Sequence, residues 1–262
     1  MELVTGGAGF IGSHLVDSLV ANGKSVRVLD NFSSGRMEFL NHHDGSGLVE
    51  VVKADLLDNS AVRQAMVGVE VVHHMAANPD IRLGTTVTDT DLKQGTVATY
   101  NVLEAMRLED VGQISFSSSS AVYGEADVMP TPESYGPIKP ISLYGASKLA
   151  SEALITAWCG TFGAKSWIHR FANIVGPRGT HGVIYDFIHK LKADPSRLEV
   201  LGNGMQEKSY MSAQDCVHAM VHLIGNTDSD VNLYNLATWD TFSVRRIAEF
   251  VVEARGLVGL SI

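Results

Sequence analysis

The sequence predicts an α/β protein built on a doubly wound parallel sheet, and three observations predict it. Short apolar runs alternate with longer stretches of helical period, a glycine-rich turn follows the first run, and an acid closes the second. Strands alternating with helices imply right-handed crossovers and a parallel sheet covered on both faces.

The elements follow in order. Leu3-Val4 is the first strand, and Ile11 to Ala21 places Ile11, Leu15, Leu19 and Val20 on one helical face. Ser25 to Asp30 is a second strand, Val49 to Val52 a third, Val69 to Met75 a fourth, Ile114 to Phe116 a fifth and Trp167 to Phe171 a sixth. Helices are expected between them, notably at Thr96 to Arg107 and Tyr144 to Phe162. Gly176-Pro177-Arg178-Gly179 then breaks the texture, and Pro177 either touches the cofactor or simply ends the strand. Beyond it come a helix at Val183 to Lys192, a strand at Leu198 to Leu201, a helix at Ala213 to Ile224 with Asp215 as a helix-start acid, and a last helix capped by Ser243. Glu2 stands where a buried parallel strand prefers an aliphatic residue. Residues Gly256 to Ile262 read as a helix end and a stump, as though the chain were truncated at its C-terminus.

Composition sets the bounds. A chain of 262 residues with 45% apolar and 19% charged side chains is an ordinary globular protein. A net charge of −9 argues against a broad nucleic-acid or anionic-membrane surface. Two cysteines, neither in a CxxC, argue against a disulfide framework or zinc site and fit a reducing compartment. Without an apolar run of roughly 18 residues or a signal-type N-terminus, the expected location is cytoplasmic. No metal is expected at His42-His43 or His73-His74, because neighbouring histidines point to opposite faces of a strand; Cys159 is expected to be a small buried hydrophobe.

The turn Gly6-Gly7-Ala8-Gly9-Phe10-Ile11-Gly12 carries the first chemistry. Its glycines allow a tight turn, close approach of backbone to a pyrophosphate, and close helix–strand packing, while the helix N-terminus offers free N–H groups to the anion. Asp30 closes the second strand where a carboxylate accepts from adenosine ribose hydroxyls, and Asp55-Leu56 follows the third strand beside the adenine. Asp30 repels a 2′-phosphate, so the expected cofactor of this Rossmann-type domain is NAD.

Tyr144 and Lys148 are spaced i, i+4 on one helical face, and Ser117 to Ser119 close the fifth strand at the edge where such sheets bind ligands. A tyrosine base near pH 7 needs a shift of about three units from its usual pKa, about 4 kcal/mol. One cation about 4 Å away at an effective dielectric near 20 gives an energy of that order, and Lys148 and the positive nicotinamide ring together are expected to supply it. Ser119 is placed to donate to a substrate oxygen.

With these motifs in place the chain resembles the extended short-chain dehydrogenase/reductase family, in particular nucleotide-sugar epimerases of the UDP-glucose 4-epimerase type. The carriers are Thr5 to His14, Asp30-Asn31-Phe32-Ser33-Ser34-Gly35-Arg36, His74 to Ala77, Ser117 to Gly124, Tyr144 to Lys148, Arg170 to Asn173, and Gly202-Asn203-Gly204 with Gln206 and Lys208. The resemblance implies 4-epimerisation of a UDP-sugar through a 4-keto sugar, with Tyr144 as base and Ser119 on the same oxygen. It implies that Asn31, Ser33 and Gly35 meet the adenosine half, that Met75, Ala76, Ala77 and Ser117 line the cofactor, and that Phe171 lies by the nicotinamide. Substrate contacts fall to Ser119, Asn173, Gln206 and Lys208, with Arg82 at the sugar end, and a homodimer forms through the helices near Thr96 to Arg107 and Tyr144 to Phe162. Where the family usually has asparagine before the third helix, this chain has Gly95, and Lys208 replaces a frequent arginine. The implied division is a cofactor domain at 1–172 and a substrate lobe at 173–262, part of which returns to the first. Decarboxylase, dehydratase and reductase chemistry use similar parts, as does an NAD-binding protein without turnover; Ser120 and Ala121, which are not acidic, argue against a dehydratase.

Overall fold

A parallel sheet forms because the apolar runs lie side by side, joined by crossover connections. In the computed structural model, which describes residues 1–262 except Asp228, Val258, Ser261 and Ile262, seven strands make this sheet. They are β1 (Glu2–Thr5), β2 (Val26–Asp30), β3 (Val49–Lys53), β4 (Val71–His74), β5 (Gln113–Ser119), β6 (Lys165–Phe171) and β9 (Val231–Leu236). Their order is β3-β2-β1-β4-β5-β6-β9, with every pairing parallel. The order reverses between β1 and β4, and a crevice opens at the carboxyl ends of strands at such a switch point.

Helices cover both faces. Helix α1 (Phe10–Ala21) and helix α6 (Ala213–Asn226) bury Leu15, Val16, Leu19, Cys216, Val217 and Met220 against Val4 and Val28 on one face. Helices α2 (Asn59–Met66), α3 (Ala98–Leu108) and α4 (Leu143–Phe162) bury Val62, Met66, Val102, Met106, Ile155 and Cys159 against Leu3, Ile114 and Phe116 on the other. Cys159 is thus the small core hydrophobe expected. No helix of the described residues is long and apolar enough to cross a membrane.

Polar residues inside this core have identifiable partners. Glu2 is buried on β1, where Lys24 (2.9 Å) and His73 (2.8 Å) reach its two oxygens. Burial alone would raise its pKa, but the bonds and charge from His73 and Lys24 outweigh it and bring the carboxyl down to about 2. The oddity at Glu2 is therefore a paired charge. Arg170 forks onto Glu152 at 2.9 and 2.6 Å, Ser118 donates to the same carboxylate, and Tyr123 accepts from Arg170 and donates to Asn235. That network ties α4, β5, β6 and β9 together beneath the cleft.

The remaining elements group apart. Strands β7 (Asn173–Val175), β8 (Glu207–Ser212) and β10 (Thr241–Ser243) form a small sheet, order β10-β8-β7. Helices α5 (Val183–Ala193) and α7 (Val244–Ala254) pack on it through Phe187, Leu191, Ile247 and Val251. Within 173–262, α6 and β9 belong to the layers of the large sheet. Ser243 caps α7 through Arg246 N–H (3.1 Å), and Ser212 caps α6 while donating to Asp215 (2.8 Å), as their positions predict. The expected strand at Leu198 to Leu201 does not form. Leu198 and Val200 instead pack as an irregular segment into the α5–α7 core, with no neighbouring strand to pair with. The expected C-terminal stump includes Val258, Ser261 and Ile262, which lie outside the described residues.

Candidate active site

The switch point between β1 and β4 opens into a cleft of about 420 Å³ whose lining runs from the glycine turn to Tyr144 and Lys148. That volume lies in the range of small-molecule sites. At its floor the chain passes from β1 into α1 without room for a side chain. Gly6 has φ +66°, and a Cβ there would sit 2.7 Å from the Ala76 backbone; one on Gly12 would sit 2.2 Å from the Gly6 carbonyl oxygen. Gly9 is the N-cap of α1 and offers no side-chain acceptor to the first-turn N–H groups, which by helix geometry lack intrahelical partners. The result is a bare, positively polarised helix end facing an anion-sized hollow.

Asp30 stands beside that end. Its two oxygens accept from Ala8 N–H (3.0 Å) and Phe32 N–H (2.8 Å), so one carboxylate holds both the glycine turn and its own loop. A Cβ on Gly35 would sit 2.7 Å from it. Burial raises the Asp30 pKa, opposed by the Phe32 and Ala8 N–H groups. A carboxylate has about four acceptor positions, which leaves two for ribose hydroxyls. The Cβ-free cradle, the helix end and this acid together fit a dinucleotide. Gly9, Phe10, Ile11, Asn31, Ser33, Leu56, Met75, Ala76, Ala77, Ser117 and Phe171 line the same cleft. Asp55 and Gly35 do not. Asp55 instead accepts from Asn31 Nδ2 (2.9 Å), behind the wall, and Asn31 accepts from Ser33 N–H. Pro177 also lies outside the lining, and its carbonyl meets His14 Nε2 at 3.0 Å.

At the other end α4 delivers Tyr144 and Lys148, one turn apart, toward the end of β5. Ser142 caps the helix through Gly145 N–H (3.0 Å), and a Cβ on Gly145 would strike the Ala121 carbonyl, so α4 enters flush against the turn after β5. Ser119 lies at the carboxyl end of β5, and Lys148 Nζ donates to the Ser117 carbonyl and sits 4.7 Å over the Phe116 ring. Burial lowers Lys148 to about 7, against the raising charges of Glu152 and Asp91. Tyr144 keeps some solvent contact as a residue, yet its hydroxyl is desolvated. Burial pushes it up to about 12; the Ser119 side chain pulls it down and the Asp91 carboxylate adds to the rise. The downward shift that the sequence argument assigns to Lys148 and the nicotinamide charge together must overcome this desolvation of the phenolate.

Sequence reasoning missed part of the lining. A π-helical turn at Leu92–Val97 leads into α3 and brings Gln94 into the cleft, while Asn78, His181, Tyr185 and Tyr210 complete the side opposite α1. π-turns recur at functional sites. The same turn explains Gly95, where a Cβ would sit 2.6 Å from Ser147 Oγ and force the turn off α4. Asn173 lines the cleft and donates to the Ser209 carbonyl (3.0 Å). Arg82, Gln206 and Lys208 are not brought in. Arg82 pairs with Asp80 (3.3 Å) on an exposed loop, and Gln206 and Lys208 are exposed at the start of β8, where Lys208 stands opposite Phe242 of β10.

Comparison with known proteins agrees with this geometry. The family model "NAD dependent epimerase/dehydratase family" matches residues 2–237. UDP-glucose 4-epimerase of Mycolicibacterium smegmatis is 34% identical over 260 residues, covering 97% of this chain and 82% of that protein. UDP-glucuronic acid decarboxylase 1 of Xenopus tropicalis is 31% identical over 265 residues, covering 97% and 61%. A solved UDP-galactose 4-epimerase superposes with a TM-score of 0.89 at 45% identity, covering 99% of this chain and 84% of that one.

Proposed function

Because the chain belongs to the NAD dependent epimerase/dehydratase family, we propose that it inverts C4 of a UDP-hexose, UDP-glucose and UDP-galactose being the first pair to test. Bound NAD would supply a reversible hydride acceptor for the sugar C4 carbon. Tyr144 takes the C4 hydroxyl proton and returns it to the same oxygen, Ser119 donates to that oxygen, and the Lys148 ammonium favours the phenolate. Gly6, Gly12 and Asp30 hold the dinucleotide at the far end.

One observation carries epimerisation over dehydration: among the described residues the only carboxylate in the cleft lining is Asp30, at the adenosine end. A dehydratase must also move a ring proton and expel a hydroxyl, which calls for further acid–base groups beside Ser119. Ser120 and Ala121 offer none. An epimerase needs only one base that takes and returns the same proton.

The purified protein is to be incubated separately with UDP-galactose, UDP-N-acetylgalactosamine and UDP-glucuronic acid, and the products separated. The 4-epimer from either of the first two supports the reading. A pentose product from the third alone, or NAD bound with no product from any, overturns it.

We also infer that two copies pair through α3 and α4. Tyr100 (45% exposed), Trp158 and Phe162 (52% exposed) form a run of edge-to-face and tilted rings along these helices, with centroids 6.1 and 4.9 Å apart, and exposed aromatic clusters mark interfaces. Sedimentation velocity at micromolar concentration is expected to give a dimer for the native chain and a monomer for Phe162→Glu. A native monomer would exclude this pairing.

A further inference from the structure

A second cluster of chemistry-bearing side chains lies outside the cleft, on the outer flank of α1. The sequence argument dismisses His42-His43 as a strand pair facing opposite ways, but the two residues sit in a single 3-10 turn, Asn41–His43, and do not diverge. Both Nε2 atoms lie 2.7 Å from the same oxygen, Asp17 Oδ1, and the two rings are 4.0 Å apart, tilted by 41°. The ligand atoms of all three residues lie within 4.8 Å of one another.

We propose that Asp17, His42 and His43 form a zinc-binding site of two imidazoles and one carboxylate, with water as the fourth ligand. Zinc bonds to nitrogen and oxygen at about 2.0–2.2 Å, so tetrahedral ligands stand about 3.3 Å apart. Opening the present 2.7 Å contacts by about 0.6 Å lets an ion replace the shared proton contacts. His42 is half exposed and free to make that adjustment, while His43 is nearly buried and fixes the direction of approach.

The donor set selects the metal class. Asp17 Oδ2 is engaged by Arg178 Nη1 at 2.8 Å, so the formal charge of carboxylate plus guanidinium is zero and calcium or magnesium gains little. Two imidazoles favour a borderline ion such as zinc. Arg178 holds the carboxylate from behind, as outer partners of metal ligands do. The site joins α1 to the segment after β2 and to the loop 176–182, two stretches that help wall the cleft through Asn31, Ser33, Gly176 and Gly179.

The test uses untagged, NAD-loaded protein, equilibrated with ZnCl2, followed by isothermal titration and by metal analysis after dialysis. One retained equivalent is expected, with affinity at least about tenfold weaker in His42→Ala and in His43→Ala, and unchanged circular dichroism in the half-exposed His42→Ala variant. A magnesium titration is expected to show no saturable binding. Zinc retention equal in both variants and native protein, or no saturable zinc binding at all, would overturn the site; equally tight magnesium would overturn its metal class. None of these outcomes depends on the sugar reaction, since neither histidine lines the cleft.

Discussion

Tyr144→Phe is expected to lower kcat by about 10³-fold while changing NAD affinity by less than about threefold, within the range that a positioned general base contributes. The substitution removes one oxygen from a cleft whose dinucleotide end, built from Gly6, Gly12 and Asp30, it does not touch. The size of the loss follows from the site's electrostatics. In the protein without bound cofactor the Tyr144 phenol is pushed up to about 12 and Lys148 down to about 7. Bringing the phenol from about 12 into the neutral range is worth about 7 kcal/mol. Lys148 Nζ lies 5.8 Å from the centre of the Tyr144 ring, and a cation at that distance and an effective dielectric near 20 supplies only about 3 kcal/mol. Lys148 by itself is therefore insufficient, and the remainder depends on positive charge that accompanies the oxidised cofactor. Single-turnover kinetics and equilibrium NAD binding measured on the same preparation check this. A Tyr144→Phe protein retaining more than about a tenth of native kcat would remove Tyr144 from the role of base.

The parts of this site legible in the sequence are those fixed by local chain geometry. Gly6 and Gly12 must be small because backbone meets backbone there, Asp30 follows directly from a strand end, and Tyr144 with Lys148 needs only a helical repeat. What escaped depends on long-range packing. Strand β9 is not among the strands expected from the sequence; Asn232 and Asn235 interrupt its apolar residues, yet Asn232 donates to the Ser166 carbonyl (3.0 Å) and Asn235 to that of Thr131 (2.9 Å), so polar side chains are satisfied at this sheet edge. Gln94 enters the cleft through a π-turn, whose extra residue breaks the 3.6 period that a helical reading assumes. His42 and His43 were assigned divergent directions from strand geometry, whereas a 3-10 turn brings both onto Asp17. Arg82, Gln206 and Lys208, polar positions carried over by resemblance, stand outside the cleft lining, and nothing in their local sequence dictates which way an exposed side chain faces.

Acidification is expected to unfold the protein well before its carboxylates alone would require. His74 and His169 are fully buried on β4 and β6. Burial, with the Lys148 charge near His74 and His73 near His169, holds both at about 3. His74 is wedged between Thr5 Oγ1 (2.7 Å) and Thr99 Oγ1 (3.0 Å). Thr99 donates its own proton to the Gly95 carbonyl, so it accepts from Nε2–H, and Nδ1 accepts from Thr5. That arrangement is complete only with a neutral ring. A folded pKa below the unfolded value of about 6.5 means this stability is fully present above pH 6.5 and lost as pH falls toward 3. At pH 4.5 each histidine forfeits about 2.7 kcal/mol, together about 5, comparable to the whole stability of many domains. Below pH 4.5 Glu2, at about 2, adds to the loss in the same direction, while Lys148, at about 7, is already protonated in both states and adds no further slope. Urea midpoints between pH 7 and 4.5 measure the effect. Among the described residues His169 has no hydrogen-bond partner on either nitrogen, and it stacks on Phe171, so His169→Phe is expected to fold at pH 7 and to lose about half of the acid sensitivity. A pH dependence identical in the two proteins would show that His169 does not hold its ring neutral.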